Sequence, residues 1–249
     1  MILLDYVVRL GQMWFVRNEW DEVIDKIKEG WDDGCIVTDI DYGDGVWSVV
    51  MTKTVVNLRQ SLFLSRDFSD LTDKIESCWK KGQCVTSITY DGRKWIGLAT
   101  TISCYSNQGY VIGSWDYCID AVKDRWRNNR YVTSIACDGD TYLFISSRIG
   151  DDVSYSQSID LVRTNTELKK LKNKCLKGNR IITDMHNMSG YLVVVTSSSD
   201  HEDEEERLKI CSTEDIKENI SKVNANGFYV ASMAYYDHLW FIAFRRDIY

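Results

Sequence analysis

No stretch of this 249-residue sequence is apolar for the roughly 18 residues that a membrane-spanning helix requires, so a chain outside the bilayer is expected. The first ten residues, Met1 to Leu10, contain an acid at Asp5 and offer neither a basic leader nor a small-residue cleavage site, and do not read as a signal peptide. Together these absences predict a soluble cytoplasmic protein. Basic clusters are missing as well. The 30 Lys and Arg are outnumbered by 37 Asp and Glu, for a formal charge of −7, which removes the electrostatic footprint of a nucleic-acid or anionic-membrane partner. None of the eight cysteines forms a C-x-x-C pair, and His186, His201 and His238 are too irregularly spaced to serve as metal ligands. No metal or other cofactor is therefore expected, and the thiols read as reduced core residues. Protein-kinase chemistry is excluded by the lack of a Gly-rich loop with its strand lysine, of His-Arg-Asp and of Asp-Phe-Gly. No Ser or Cys sits in a recognised nucleophile turn. The sequence predicts no catalytic residue and no enzyme.

What the sequence does contain is repetition. Trp31, Trp79 and Trp126 recur at intervals of 47 to 49 residues, and Cys175 and Val223 continue the series. After each comes a short β-type run: Ile36–Ile40, Cys84–Ile88, Tyr131–Ile135, Ile181–Met185 and Tyr229–Met233. A turn rich in Gly, Asp and Asn then leads to a run opened by an aromatic at Trp47, Trp95, Tyr142, Tyr191 and Trp240. Asp44-Gly45, Asp91-Gly92 and Asp138-Gly139 mark hairpins, because Asp-Gly adopts the positive φ angles of tight turns cheaply. A third run follows Gln60, Gln108 and Gln157, with Gln12 in phase ahead of them and Arg207-Leu-Lys-Ile in the fifth copy. Apolar residues at helical spacing, as in Trp20, Ile24, Ile27 and Trp31, place an amphipathic helix between the third run and the next Trp.

The chain begins inside a unit. Val7 to Gln12 matches Val55 to Gln60, so the N-terminus supplies a third strand and a helix, and the C-terminus supplies a first and second strand. Incomplete units at both ends predict a ring. Residues 1–249 are expected to form one mainly β domain. It is a closed five-bladed β-propeller of ~48-residue repeats, with three strands and one outer helix per blade and the last blade closed by both termini.

The unit Trp79-Lys-Lys-Gly-Gln-Cys-Val-Thr-Ser-Ile88, followed by Trp95-Ile-Gly-Leu-Ala-Thr100 and Asn107-Gln108, resembles the repeated W-x-x-G-y-x-I-T-S … W-x-V-V-M-S … Q pattern at the C-terminal end of plant casein-kinase-one-like protein kinases. Trp47-Ser-Val-Val-Met-Thr52 is the closest single match. The resemblance spans nearly the whole chain and implies an accessory binding or regulatory module. Its motif is made of core and turn residues.

Four sets of residues bear on chemistry. The recurring Gln12, Gln60, Gln108 and Gln157 either present one amide per blade to a repeated ligand such as a sugar or bond backbone between strand and loop; the second is preferred, because buried polar groups find partners. Asp39 and Asp184 stand where other copies have Ser87, Ser134 and Ser232, and paired carboxylates are the machinery of glycosidases. The recurring Trp residues are read as core. The run Asp200-His-Glu-Asp-Glu-Glu-Glu206 is read as a solvated acidic loop. The function expected is a non-catalytic, monomeric binding module that engages a protein or peptide on one propeller face. A lectin-like multivalent carbohydrate binder and, behind it, a glycosidase are the alternatives.

Overall fold

The computed structural model describes residues 9–102, 104–150, 156–188, 190–198 and 205–246. The chain divides into two compact units, Met1–Val153 and Ser154–Tyr249. The first unit holds three copies: β1 (Arg9–Arg17), α1 (Trp20–Asp32), β2 (Cys35–Gly43) and β3 (Val46–Thr54); β4 (Gln60–Ser65), α2 (Phe68–Lys80), β5 (Cys84–Tyr90) and β6 (Trp95–Thr100); β7 (Tyr105–Gly113), α3 (Trp115–Arg127), β8 (Tyr131–Cys137) and β9 (Tyr142–Ile149). The second holds two: β10 (Gln157–Val162), α4 (Asn165–Lys177), β11 (Arg180–Met188) and β12 (Tyr191–Ser198); β13 (Glu205–Cys211), α5 (Ile216–Asn224), β14 (Tyr229–Tyr236) and β15 (Leu239–Arg246). The protein is mainly β, and every copy is a three-stranded antiparallel sheet with one helix. No helix among the described residues is long and apolar enough to cross a membrane.

The sheet orders are β1-β3-β2, β4-β6-β5, β7-β9-β8, β10-β12-β11 and β13-β15-β14. Each sheet is thus contiguous in sequence, which corrects the expected phase of the unit. The strand carrying Gln60 pairs with β6, not with β3, and Gln12 lies opposite Thr52 on β3. Among the described residues no sheet is built from both chain ends: β1 belongs with β2 and β3, and β14 and β15 belong with β13. The physical reason is the helix. Two parallel strands need a crossover of a dozen residues or more, and the 13-residue α1 carries the chain from β1 to β2, leaving the slot between them for β3.

Each helix buries one stripe: Val23, Ile27 and Gly30 in α1, Leu71, Ile75 and Cys78 in α2, Ile216, Ile220 and Val223 in α5. The middle strands are covered on both faces, and every residue of β6 is buried. Val23 and Ile27 pack with Val49 and Met51 of their own sheet, and Ile96 and Leu98 of the second sheet complete the cluster. Of the aromatics at the start of the middle strands, Trp47, Trp95 and Trp240 are buried core residues and Tyr142 and Tyr191 are half-buried. Trp47 sits between Trp20 and Tyr42 at ring distances of 4.6 and 4.8 Å, and Trp95 between Phe68 and Tyr90 at 4.9 Å each.

The first strand of every hairpin carries a one-residue bulge at the same place: between Val37 and Asp39, Val85 and Ser87, Val132 and Ser134, Ile182 and Asp184, and Val230 and Ser232. The Asp44-Gly45 turn has φ of 53° and 73°, the two positive angles of a type I′ hairpin.

Candidate functional site

Gln60 and Gln108 each join their own sheet to the sheet before it. Gln60 Oε1 accepts from the indole Nε1 of Trp31 (3.0 Å) and from the Val37 N–H (2.7 Å), while Gln60 Nε2 donates to the Val37 carbonyl (2.9 Å) and to Thr100 Oγ1 (2.9 Å). Gln108 repeats this arrangement. It accepts from Trp79 Nε1 (2.7 Å) and Val85 N–H (2.6 Å), and donates to the Val85 carbonyl (2.9 Å) and Ser147 Oγ (2.8 Å). The bulge turns the backbone of Val37 and Val85 away from their own ladders, and the amide of the next sheet takes both groups, forming a clasp. At the bulge, Thr38 and Thr86 hydroxyls bond Thr52 and Thr100 at 3.0 and 3.1 Å. Gln12 Nε2 donates to Thr52 Oγ1 (3.3 Å) and Gln157 Nε2 to Ser197 Oγ (3.4 Å), the same own-sheet bond that Gln60 and Gln108 make.

The fifth copy keeps the clasp with different chemistry, which the sequence reading missed. Glu206 occupies the clasp position and Arg245, directly opposite it across β13 and β15, occupies the place of Thr100 and Ser147. Glu206 Oε1 accepts from the Ile182 N–H (2.7 Å) and Arg245 Nη2 donates to the Ile182 carbonyl (2.6 Å). A carboxylate and a guanidinium divide the work of one amide. Both are buried, and Arg245 is fully so. The indole donor is gone at the same junction, where Cys175 replaces Trp. Residues 200–204 of the acidic run, His201 among them, lie outside the described residues; Glu205 and Glu206 belong to β13.

Asp39 and Asp184 follow the bulges of β2 and β11, and each is half-buried in its own unit. Asp39 Oδ1 accepts from the Ile40 N–H (3.1 Å). In the equivalent places, Ser134 Oγ accepts from the Ile88 N–H of the preceding sheet (3.0 Å) and Ser232 Oγ from the Met185 N–H (3.0 Å), so this position also serves neighbouring strands. Asp41, two residues on, is buried and accepts from Thr89 Oγ1 (3.2 Å). The cysteines carry no disulfide among the described residues. Burial pushes the Cys118 and Cys211 thiols up to about 11, so they are protonated and unreactive.

His186 is buried on β11, and desolvation lowers its pKa to about 4. Its neutral form is favoured in the fold, so the unfolded chain binds the extra proton first. Stability is therefore full above pH 6.5 and falls as pH drops through the window between 6.5 and 4, by about 2 to 3 kcal/mol at pH 4.5. Urea unfolding at pH 7 and pH 4.5 should show this loss, and His186→Asn should show a smaller one.

One place departs from the repeat. Beside α3, an open groove of about 890 Å³ is lined by Asn107, Tyr110, Tyr117, Arg125, Arg130 and Arg148, among others. Arg125 is half-buried; its Nη1 donates to Ser146 Oγ (2.8 Å) and its Nη2 to the Tyr110 carbonyl (2.7 Å). It reaches them over Gly109, where an added Cβ would come within 2.8 Å of Nη1 and would push the end of the Arg125 side chain aside. Burial first, and the adjacent Arg130 charge second, pull the Arg125 pKa below its ordinary value. Arg148 is exposed on β9 and Tyr117 is 62 % exposed on α3.

Comparison with models of known protein families gives no match, and neither does comparison with the sequences of curated proteins.

The sequence reading saw no basic cluster because the three arginines come from a helix, a loop and a strand. The signal available was the short spacing of Arg125, Arg127 and Arg130, at helix positions where the second copy has Cys78 and Lys80. No group of His, Cys, Asp and Glu suited to a metal ion occurs among the described residues.

Proposed function

We propose that the five sheets close into a ring, a five-bladed propeller, and that the ring is a non-catalytic module that binds a protein or peptide partner. The observation that carries this reading is the use made of the repeated side chains. Gln60 and Gln108 spend both ends of their amides on joining sheets, so presenting them to a sugar on each blade would break the clasps. Repeated residues build the frame, and residues that differ between copies are left to recognise a partner. One such difference is the groove beside α3.

Matching clasps to the hairpin bulges supports ring closure. The described residues hold five clasp positions (Gln12, Gln60, Gln108, Gln157, Glu206) and five bulges on the first strands of the hairpins, and each of the three clasps described above takes the bulge of the preceding sheet. Continued around the chain, the rule assigns Gln157 to Val132 and Gln12 to Val230. Closure then comes from a side-chain clasp between the first and fifth sheets, with no sheet shared by the two ends. The resemblance to the repeat module of plant casein-kinase-one-like kinases supports the same accessory role.

Affinity capture followed by calorimetry on the purified pair tests the function, with one partner bound per chain as the expected result. Binding of a simple sugar on a glycan array with a stoichiometry near five would replace this reading with the lectin-like one.

A further inference from the structure

The third and fifth copies can be compared position by position. Glu205 stands opposite Arg246 across β13 and β15, and Ser106 stands opposite Arg148 across β7 and β9. Phe228 precedes β14 as Arg130 precedes β8. In the fifth copy these residues satisfy one another. The Glu205 carboxylate accepts from Arg207 Nη2 (3.1 Å) and from Arg246 Nη2, and both guanidinium groups lie over the Phe228 ring, at 4.0 and 4.9 Å. In the third copy the carboxylate is replaced by Ser106, the aromatic by a further cation, and Arg207 by the Gly109 that admits Arg125. The acid lining this groove, Asp124, is ion-paired with Arg127 at 2.5 Å. Among the described residues, the guanidinium groups of Arg130 and Arg148 have neither a hydrogen bond nor an ion pair. Glu76 approaches the rim only at the Tyr110 hydroxyl (3.4 Å).

Three guanidinium groups converging on one open groove, without the carboxylate that the sister copy supplies to itself, leave a site short of negative charge. We propose that the groove beside α3 binds the side-chain carboxylates of an acidic peptide segment, which does in the third copy what Glu205 does in the fifth. Guanidinium forks suit carboxylates because they offer paired N–H donors at matching spacing. A peptide fits better than a small oxyanion for two reasons. The lining follows β7, an edge strand of its sheet, from Asn107 to Ile112, and the length of α3 from Tyr117 to Asn128. The exposed Tyr117 ring and the Asn107 and Asn128 amides also offer contacts that an isolated anion could not use. This proposal rests on the binding-module reading and gives it a site.

The test uses the full chain and a fluorescein-labelled hexaglutamate peptide, followed by fluorescence anisotropy, with hexaglutamine as the control. Saturable binding of hexaglutamate is expected, weakened by salt and at least tenfold tighter than hexaglutamine. Replacing both free cations (Arg130→Gln with Arg148→Gln) should weaken it at least tenfold with an unchanged circular-dichroism spectrum. Ser106→Glu, which restores a carboxylate opposite Arg148, should weaken it while keeping all three arginines. Hexaglutamate binding that survives both variants, equal binding of hexaglutamine, or displacement of the peptide by an equal concentration of inorganic phosphate would overturn the proposal. A captured protein partner that still binds the double Gln variant would remove the groove and leave the binding module standing. Hexaglutamate bound by the wild type but not by the variants would uphold the groove even if no protein partner is captured.

Discussion

Arg245→Ser alone is expected to destabilise the second unit by about 3–5 kcal/mol, because it leaves the Glu206 charge buried without the cation that stands opposite it across β13 and β15, and the Ile182 carbonyl without its donor. The same loss is expected from Glu206→Ala, which strands the guanidinium instead. The two positions act together, so the informative variant is the pair. Glu206→Gln with Arg245→Ser rebuilds in the fifth copy the amide-and-hydroxyl arrangement of Gln108 and Ser147. It should recover most of the loss, ending within about 1 to 2 kcal/mol of the wild type; the remaining deficit reflects the cavity left by the long side chain. Urea unfolding of the three variants gives the coupling energy directly. A double variant as damaged as Arg245→Ser would mean that the two-residue clasp and the amide are not equivalent solutions.

Gln60→Ala is the second large effect. It removes four hydrogen bonds at once and leaves the N–H and carbonyl of Val37, itself 1 % exposed, and the Trp31 indole without their partner. Unsatisfied buried groups cost about 1–3 kcal/mol each, so a loss of about 3 kcal/mol or more is expected. It should appear in equilibrium unfolding and as a shift of the Trp31 indole proton resonance. Gln108→Ala should behave alike, with Trp79 as its reporter. Losses within about 0.5 kcal/mol would show that water replaces the amide and that the clasp is not what holds neighbouring sheets together.

The period of the repeat was legible because Trp47, Trp95 and Trp240 fill equivalent core positions of their sheets, and Trp31 and Trp79 donate to equivalent clasps. Its phase was not. A periodic sequence looks the same wherever it is cut, and only hydrogen bonding decides whether the strand after Gln60 belongs with β3 or β6. At positions 60 and 108 the structure shows both ends of the recurring Gln amide bonded to the backbone of the preceding sheet. The fifth clasp was invisible because it is written in two residues on different strands, Glu206 and Arg245. Glu206 was also hidden at the end of an acidic run that reads as solvated loop. The groove escaped for a similar reason: its cations are gathered by the fold, and the glycine that makes room for Arg125 carries no signal of its own.

The proposed ring requires Gln12 to do for Val230 what Gln60 does for Val37. Amide hydrogen exchange at Val230, measured in the wild type and in Gln12→Ala and normalised to the Ile242 amide of the same fifth sheet, tests this most directly. A closed ring predicts slow exchange at Val230 that accelerates about tenfold or more relative to Ile242 once the amide is removed. An unchanged ratio would contradict closure by the first and fifth sheets.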